Sequence, residues 1–544
     1  MKKIFLVFLL FLVLITSCKN SGTVNEPPEG SDLSDVFDDI YEVVMQYPLM
    51  GSIPSGLQEV EDAINLRTEK EIGVRVKFYP VNRFDLGKTV GLLVSSGEKL
   101  DLMISLFEGG VSNYANTGIL LELDSLVQHY GSDIVFAEGR AMSGGYINNK
   151  LYAVPSEEKM GRVSAFFARQ DIVEKYSIDY DPNHIYTVEE LDEVFAIVKA
   201  GEGKDFYCIA VNSQENLPFF YTDHMDFLGS SLASGCLLNY GVDSTEIVNY
   251  YETENFAKVC KYATEWYQKG YFSPDCNTTA DPSLILMSSG NYFGRFLSAE
   301  PDMVASQSFG ARRTIGTDLV PFYVSASSSM TQHFQISMWA IPITCENPVK
   351  TMQWLNMMYA DEEIINLLCY GIEGVHWSFV EGSDKVIEFH VKNNLSYYSP
   401  YNVWGDKSKN YITAPFDETY YSELKSFNES IEKISCAIGY SFNSEPVRKA
   451  YTAVQDVINK YQASLALGVV NPDNIIPVYL DALKEAGIDN VIVENQKQFD
   501  EWLGIPVGGR SRLRQSEYRK QRDGFCFSEE AEEPSPTLLF TIFF

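Results

Sequence analysis

The residue types that usually carry out catalysis occur in this sequence, but not at the spacings that catalysis uses. The hydrolase motif GxSxG, the zinc motif HExxH and the phosphate-binding P-loop are all absent. Paired carboxylates can hydrolyse glycosidic bonds, but no local pattern selects two of the many carboxylates in this chain. The six histidines are scattered, at His129, His184, His224, His333, His376 and His390. These observations favour binding without catalysis.

The nine cysteines also lack the spacing of a metal site. Zinc and iron–sulfur sites use ligands that are clustered in the sequence, so we expect no metal and no other cofactor. Disulfides and buried free thiols are both compatible with the pattern. The cysteines lie far apart, at Cys18, Cys208, Cys236, Cys260, Cys276, Cys345, Cys369, Cys436 and Cys526.

Aromatic residues make up 13% of the chain and could recognise a ligand without reacting with it. An aromatic ring stacks on the apolar face of a small molecule, while nearby amides, carboxylates and arginines bind its polar groups. Trp339, Trp377 and Trp404 each stand beside an irregular segment, which makes them candidate platforms. The alternative for each is an anchor in the hydrophobic core, and the core is favoured for Trp266 on its helical stretch.

Length and charge limit the possible partners. A chain of 544 residues with 45% hydrophobic content can bury a large core, and its length favours two or more domains. The formal net charge of -32 disfavours nucleic acids and anionic lipid surfaces, because both are polyanions.

The N-terminus has the parts of a secretory signal: a basic start, an apolar run from Ile4 to Ile15 and small residues before Cys18. A run of about a dozen residues is too short to cross a bilayer of ~30 Å. The ending Ile15-Thr16-Ser17-Cys18 resembles the bacterial lipobox, which implies that Cys18 becomes a lipidated N-terminus. The alternative is an ordinary signal peptide with an incidental cysteine. We predict a signal over residues 1–18 and a flexible tether over residues 19–37.

Apolar spacing after residue 40 predicts alternating strands and helices. Strands are predicted around Val43–Met45, Val74–Phe78 and Leu100–Ile104, and helices from Leu57 and over about Lys88–Ser95. This order is typical of an α/β lobe with a largely parallel sheet. Ligands of such sheets bind at the carboxyl ends of the strands, which places Met50, Gly51, Phe107 and Glu108 at the rim of a candidate site.

Helices dominate the later part of the chain. Thr187 and Glu190 form a capping box that begins a helix reaching Lys199, and a second helix is predicted over Phe256–Gly270. Three packed helices are predicted near the C-terminus, at about Pro446–Gly468, Pro477–Ala486 and Asp489–Leu503. Residues 504–544 combine a basic run, an acidic patch and an apolar end, and we predict that they are disordered.

Several segments, taken in order, resemble family 1 extracellular solute-binding proteins of the maltose-binding type. These segments are LDLMI at 100–104, GILLELD at 118–124, NKLYAVP at 149–155 and WYQKGY at 266–271. Residues 370–377 and 486–502 resemble the LipO-like subgroup, whose members carry an additional C-terminal domain, DUF3502. The resemblance covers about residues 40 to 503 and rests on the order of the segments, since no single motif is diagnostic.

The resemblance implies a two-lobed periplasmic-binding-protein type II fold that closes on its solute by hinge motion. The first lobe would hold residues 38–157 and 285–343, and the second lobe residues 158–284 and 344–430. Residues 431–503 would form the helical, DUF3502-like C-terminal region.

The resemblance also implies a monomeric, lipid-anchored protein on the outer face of the cell membrane. It would capture a sugar or oligosaccharide for the permease subunits of an ABC importer. Tyr292, Arg295 and Glu157 are expected near the crossing between the lobes, and with Phe107 and the three candidate tryptophans they complete the predicted site. The alternatives are a receptor for a peptide or other small solute, and a glycoside-processing surface enzyme.

Overall fold

The structure is a computed structural model that describes most of the chain between residues 39 and 504. The described residues are 39–106, 110–147, 149–156, 159–213, 224–228, 231–390, 397, 399 and 403–504. The predicted signal, the tether and the tail beyond Gly504 lie outside them, as do Phe107 and Glu157.

The first lobe begins with the predicted alternation of strands and helices. Gly97 ends the second helix in the left-handed conformation, at a φ of 71°, as its position in the sequence predicts. The elements are β1 (Tyr41–Leu49), α1 (Leu57–Ile72), β2 (Val74–Asn82), α2 (Leu86–Ser96), β3 (Met103–Leu106), α3 (Gly110–Asn116), α4 (Asp124–Tyr130), α5 (Ser132–Glu138), β4 (Tyr146–Ile147), β5 (Lys150–Leu151) and β6 (Val154–Pro155).

The chain then crosses to a second lobe. The capping box at Thr187 is formed as predicted, and its helix begins at Val188. The elements are β7 (Ser164–Arg169), α6 (Gln170–Lys175), α7 (Val188–Glu202), β8 (Tyr207–Ile209), β9 (Met225–Asp226), β10 (Leu237–Leu238), α8 (Glu254–Gln268), α9 (Ser283–Met287), β11 (Tyr292–Ser298), α10 (Pro301–Thr314) and β12 (Leu319–Tyr323).

The remaining elements include the second crossing, the return to the first lobe and a helical region at the end. They are β13 (Ser328–Ser329), β14 (Ser337–Ala340), α11 (Pro348–Ala360), α12 (Glu362–Tyr370), β15 (Trp377–Phe379), β16 (Val386–Phe389), β17 (Ile412–Thr413), α13 (Tyr420–Glu429), β18 (Lys433–Ile434), α14 (Arg448–Ala466), α15 (Pro472–Ala486) and α16 (Ile488–Trp502).

Each lobe is organised around its own sheet. In the first lobe β1 and β2 are parallel, and a bridge from Met45 to Leu102 connects them to the strands β3, β14 and β6. Strand β14 is antiparallel to both of its neighbours. In the second lobe the strand order is β12-β7-β11-β8, and β7 is antiparallel to β11 and β12. Each sheet is therefore mixed, with one strand running against the others.

The structure divides the chain between the lobes differently from the prediction. Strands β11 and β12 pair with β7, so residues 285–323 belong to the second lobe. Helices α11 and α12 pack in the first-lobe core, where Trp354 and Leu355 join Tyr47. The chain thus re-enters the first lobe only at Ser337. The reason is that an apolar strand such as β11 does not encode which sheet it joins.

The C-terminal region has the three predicted helices, but α15 begins earlier than predicted. Asn471 caps it by accepting a hydrogen bond from the backbone N–H of Asp473, and Pro472 occupies its first turn. Pro477, the predicted start, lies inside the helix. The three helices pack on the second lobe, where Val454, Tyr479 and other apolar residues join its core.

Candidate functional site

Both crossing segments leave and enter the sheets at the edges where the parallel strands end, and these edges define the candidate cleft between the lobes. In the first lobe β1, β3 and β6 end there, and in the second lobe β8, β11 and β12 end there. Two crossing segments start from these ends: residues 156–163 lead from β6 to β7, and residues 324–336 lead from β12 to β14. Ligands of open α/β sheets bind at such edges, so this cleft is the candidate site.

Hydrogen bonds hold the two crossing segments together at the base of the cleft. The backbone of Arg162 exchanges two hydrogen bonds with that of Ser328, at 2.7 and 2.8 Å. The Ser156 N–H donates to the carbonyl of Ser337 at 2.9 Å. The ammonium group of Lys407 donates to the carbonyl of Ser156 at 2.8 Å. The cleft therefore has an ordered floor to which both crossing segments contribute.

Four charged side chains surround this floor. Lys159 forms an ion pair with Asp302 across 3.0 Å, which connects the first crossing segment to the first turn of α10. Glu300 precedes that helix and is 2% exposed. Burial raises the pKa of the Glu300 carboxyl group, and the positive charges of Lys159 and Arg162 oppose the rise. The cluster thus combines two cations with two carboxyl groups.

His333, in the second crossing segment, faces the same cations. Burial, together with the charges of Arg162 and Lys159, holds the pKa of His333 well below its ordinary value. The imidazole is therefore neutral near neutral pH. Its Nδ1 atom accepts a hydrogen bond from the backbone N–H of Met330, so the side chain stabilises the turn of the crossing segment.

Several buried polar atoms near the crossing segments offer hydrogen-bonding capacity to a ligand, among them the Ser156 hydroxyl group and one oxygen of Asp302. One carboxylate oxygen of Glu300 and the hydroxyl group of Ser337 are buried without a hydrogen-bond partner among the described residues. A buried polar atom in this state gains free energy when a ligand hydroxyl group reaches it. Within the described residues no group of histidine, cysteine and acidic side chains is placed to hold a metal ion.

The structure places Trp339 and Trp404 in the first-lobe core. Both rings are fully buried and stack on each other with their centroids 5.5 Å apart. The Trp339 indole N–H donates to the carbonyl of Val403, and that of Trp404 donates to the Ser399 hydroxyl group. In this conformation neither ring presents a face to the cleft. The geometry favours a role in the core, and direct stacking on a ligand stays a prediction.

Trp377 lies elsewhere in the first lobe, in the small sheet of β15, β16 and β17. It is 4% exposed, and its indole N–H donates to the carbonyl of Gly371 at 2.9 Å. Its ring contacts Phe379 and Tyr411. The structure therefore does not bring the three tryptophans together, and contact between Trp377 and a ligand also stays a prediction.

Tyr292 and Arg295 lie in the second-lobe sheet and not at the crossing. Tyr292 opens β11, so the length of that strand, roughly 20 Å at ~3.3 Å per residue, separates it from the cleft edge. The Arg295 guanidinium donates to the side chains of Ser283 and Gln307, which fastens α9 and α10 to the sheet. These positions follow from the pairing of β11 with β7. Phe107 and Glu157 lie outside the described residues.

The prediction from sequence omitted Glu300. The sequence pattern that marks Glu300 is local but weak. This carboxylate follows the end of the apolar strand at Ser298 and stands directly before Pro301, in the first turn of a helix. That position marks both a strand end and a helix start, where a negative charge is favoured. Nothing in the sequence shows that the strand belongs to the wall of the cleft.

Comparison with known proteins finds one family match and one curated relative. Residues 436–504 match the family model described as a domain of unknown function, DUF3502. A carbohydrate ABC transporter substrate-binding protein from Streptococcus pneumoniae serotype 4 is 26% identical over 469 residues, which cover 85% of this chain and 91% of the relative. The chain is thus similar to a carbohydrate ABC transporter substrate-binding protein along most of its length, and its C-terminal region matches DUF3502.

The fold of this chain matches solved structures of solute-binding proteins. The N-glycan transport solute-binding protein NgtS from Streptococcus pneumoniae superposes with a TM-score of 0.73 at 24% identity, over 85% of this chain and 99% of that one. Alginate-binding protein AlgQ2 superposes with a TM-score of 0.56 at 15% identity, over 86% and 99% of the two chains. The predicted two-lobed α/β fold is confirmed.

The NgtS structures also differ in how well they superpose on this chain. The TM-score falls from 0.73 to 0.64 for the complex with Man1GlcNAc and to 0.61 for the complex with Man5GlcNAc. This chain therefore superposes best, among these three, on the NgtS structure whose description names no glycan. Within the described residues no helix is both long and apolar enough to cross a membrane.

Proposed function

We propose that this chain captures an extracellular carbohydrate in the interlobe cleft and delivers it to the permease subunits of an ABC importer. The observation that carries the proposal is the pair of sheet edges joined by the crossing segments, where buried polar groups of both lobes lack a hydrogen-bond partner among the described residues. The similarity to a carbohydrate ABC transporter substrate-binding protein and to NgtS supports the same reading.

The charges at the cleft favour a neutral oligosaccharide. The cations Lys159 and Arg162 are matched by the carboxyl groups of Asp302 and Glu300, so the cluster has little net charge to attract an ionic ligand. The unpartnered oxygen of Glu300 can accept a hydrogen bond from a sugar hydroxyl group. Neutral glycans such as the Man5GlcNAc bound by NgtS are the ligands we expect.

Binding would work by closure of the lobes. A ligand that contacts both lobes binds the closed conformation better than the open one, and only this difference in affinity shifts the equilibrium. Ser337 begins β14 in the first lobe, and Glu300 lies between β11 and α10 in the second. A glycan that bonds to both residues is therefore held only when the lobes approach each other.

Titration calorimetry with Man5GlcNAc tests the proposal directly. We expect one glycan per chain, and we expect the glycan to be recovered intact, since the chain lacks the usual catalytic motifs. Ser337→Ala should weaken binding by about 1 kcal/mol, the typical worth of one hydrogen bond. The matched control is Ser288→Ala, because that hydroxyl group bonds only within its own helical turn in the second lobe.

Two outcomes would contradict the proposal. Release of shorter sugars in mass spectrometry would show a glycosidase. Equal affinity of the wild type, Ser337→Ala and Ser288→Ala would show that the glycan binds elsewhere.

We further propose that the chain acts as a monomer anchored to the outer face of the membrane through lipid on Cys18. The support is the signal-like N-terminus and the lipobox-like ending before Cys18. The intact mass of protein extracted from membranes should correspond to a chain that begins at Cys18 and carries acyl groups. Replacing Cys18 by Ser should release the protein from the membrane fraction, and an unmodified Cys18 in the native protein would contradict the proposal.

A further inference from the structure

The segment that precedes the C-terminal helices is part of the hinge. We call residues 430–436 the hinge strand. Its central part, β18, pairs in parallel with β13, and the Ser435 N–H donates to the carbonyl of Ser329 at 2.8 Å. Because Ser328 also pairs with Arg162, the hinge strand and both crossing segments form one hydrogen-bonded unit.

Asn428, at the end of α13, adds a connection to the first lobe. Its backbone carbonyl accepts a hydrogen bond from the Arg140 guanidinium at 2.9 Å. Its side-chain oxygen accepts one from the backbone N–H of Met160, in the first crossing segment, also at 2.9 Å. The approach to the DUF3502 region is therefore fixed at the base of the cleft.

A second contact is made by residues 439–441, which we call the contact loop. Tyr440 anchors it to α16: its ring packs on Phe499, and its hydroxyl group donates to the Asn495 side chain at 2.6 Å. The Asn495 side chain in turn donates to the carbonyl of Ser234 at 2.8 Å. The contact loop is thus fixed to the second lobe.

The residues on either side of Tyr440 contact the first lobe. The hydroxyl group of Ser441 forms a hydrogen bond with that of Ser112, in α3. Gly439 has a φ of 89°, and a Cβ atom there would lie 3.2 Å from the carbonyl oxygen of Ser143. The contact loop therefore spans from the second lobe to the first without passing through the crossing segments.

We propose that the DUF3502 region is a stop that stabilises the open arrangement of the lobes through the contact loop. Helix α3 follows the carboxyl end of β3, on the cleft side of the first lobe. Since the loop is fixed to the other lobe, a hinge rotation changes its distance from Ser112. A contact made in the open conformation and broken on closure lowers the closed population and opposes ligand binding. The closing motion itself rests on the proposed function.

Single-molecule fluorescence energy transfer on the unliganded full chain tests this stop. Dyes attached at Leu66→Cys and Ile197→Cys report the distance between the lobes, since both side chains are well exposed, one on each lobe. Cys18 and Cys526 are replaced by Ser so that they do not react with the dyes. Of the other seven cysteines, six are buried and Cys436 is half-buried. Ser112→Ala and Ser441→Ala should each raise the closed fraction on the order of fivefold, the factor that corresponds to one hydrogen bond.

The double variant makes the test specific. Because both substitutions remove the same hydrogen bond, the double variant should show the same shift as either single variant. The control is Ser288→Ala, which should leave the closed fraction unchanged. An unchanged closed fraction in both single variants, an additive shift in the double variant, or an equal rise in the control would overturn the proposal.

The affinity for Man5GlcNAc separates this proposal from the proposed function. If the stop and the proposed function are both correct, the closed fraction of each alanine variant rises. The affinity of each variant for the glycan should then increase by the same factor. If the closed fraction rises in the variants but the protein binds no glycan, the stop is supported and the proposed ligand is contradicted. Glycan binding that is equal in all variants, with an unchanged closed fraction, would reject the stop alone.

Discussion

Replacing Trp404 by alanine should lower the free energy of unfolding by about 3–5 kcal/mol, the usual cost of deleting a large buried aromatic side chain. The ring is fully buried between Trp339 and Tyr47, with centroids 5.5 and 5.2 Å away. Its removal leaves a cavity in the first-lobe core and removes the hydrogen bond that its indole N–H donates to the Ser399 hydroxyl group. Urea unfolding followed by circular dichroism measures the loss.

Phe136→Ala is the matched control for this substitution. Phe136 also belongs to the first lobe, but its side chain is 89% exposed, so its removal should change stability by less than about 0.5 kcal/mol. If Trp404→Ala keeps the wild-type stability and instead loses affinity for Man5GlcNAc, the ring is a ligand platform, as the sequence predicts. Stability and affinity must therefore be measured on the same preparation.

Replacing Asp226 by alanine should destabilise the protein by about 3 kcal/mol or more, because each buried donor left unsatisfied costs about 1–3 kcal/mol. The carboxylate is fully buried. It accepts hydrogen bonds from the backbone N–H groups of Leu228 and Thr331, both at 3.0 Å, and from the Thr331 hydroxyl group. These bonds hold the second crossing segment to the second lobe. Thermal unfolding gives the loss, and faster hydrogen exchange at Thr331 shows its location.

Asp171→Ala provides the comparison for Asp226→Ala. Asp171 forms an ion pair with Arg169 at 2.6 Å, but its side chain is 46% exposed. Exposed ion pairs contribute at most about 1 kcal/mol, so this variant should remain close to the wild type. Equal and small losses in the two variants would contradict the role assigned to Asp226.

The sequence predicts those parts of the fold whose signals are local. The apolar positions Leu57, Val60 and Ile64 are buried on one face of α1, as their spacing indicates. The alternation from Val74 to Phe78 is reproduced by the burial pattern of β2. Caps such as Thr187 are equally local, because a capping box is complete within four residues.

Pairing between distant segments is what the sequence does not predict. The run that forms β11 would suit either sheet, and its pairing with β7, more than a hundred residues earlier, decides the lobe. The tryptophans show the same limit, since burial and ligand stacking both favour a large aromatic ring. Glu300 stands at the cleft only because β11 ends there. A cleft residue thus depends on contacts that no short window of sequence contains.

The packing of the C-terminal helices has a consequence for how this protein can be divided. The Tyr251 hydroxyl group donates to Gln462 in α14, and its ring contacts Tyr479 in α15 at 4.9 Å, so the DUF3502 helices complete a hydrophobic core begun some two hundred residues earlier. The boundary that the family model sets at residue 436 is therefore a boundary in sequence and not in folding. A gene that lost the last helices would encode a second lobe with an open core, prone to aggregation. An expression fragment cut at that boundary would separate residues that share one core.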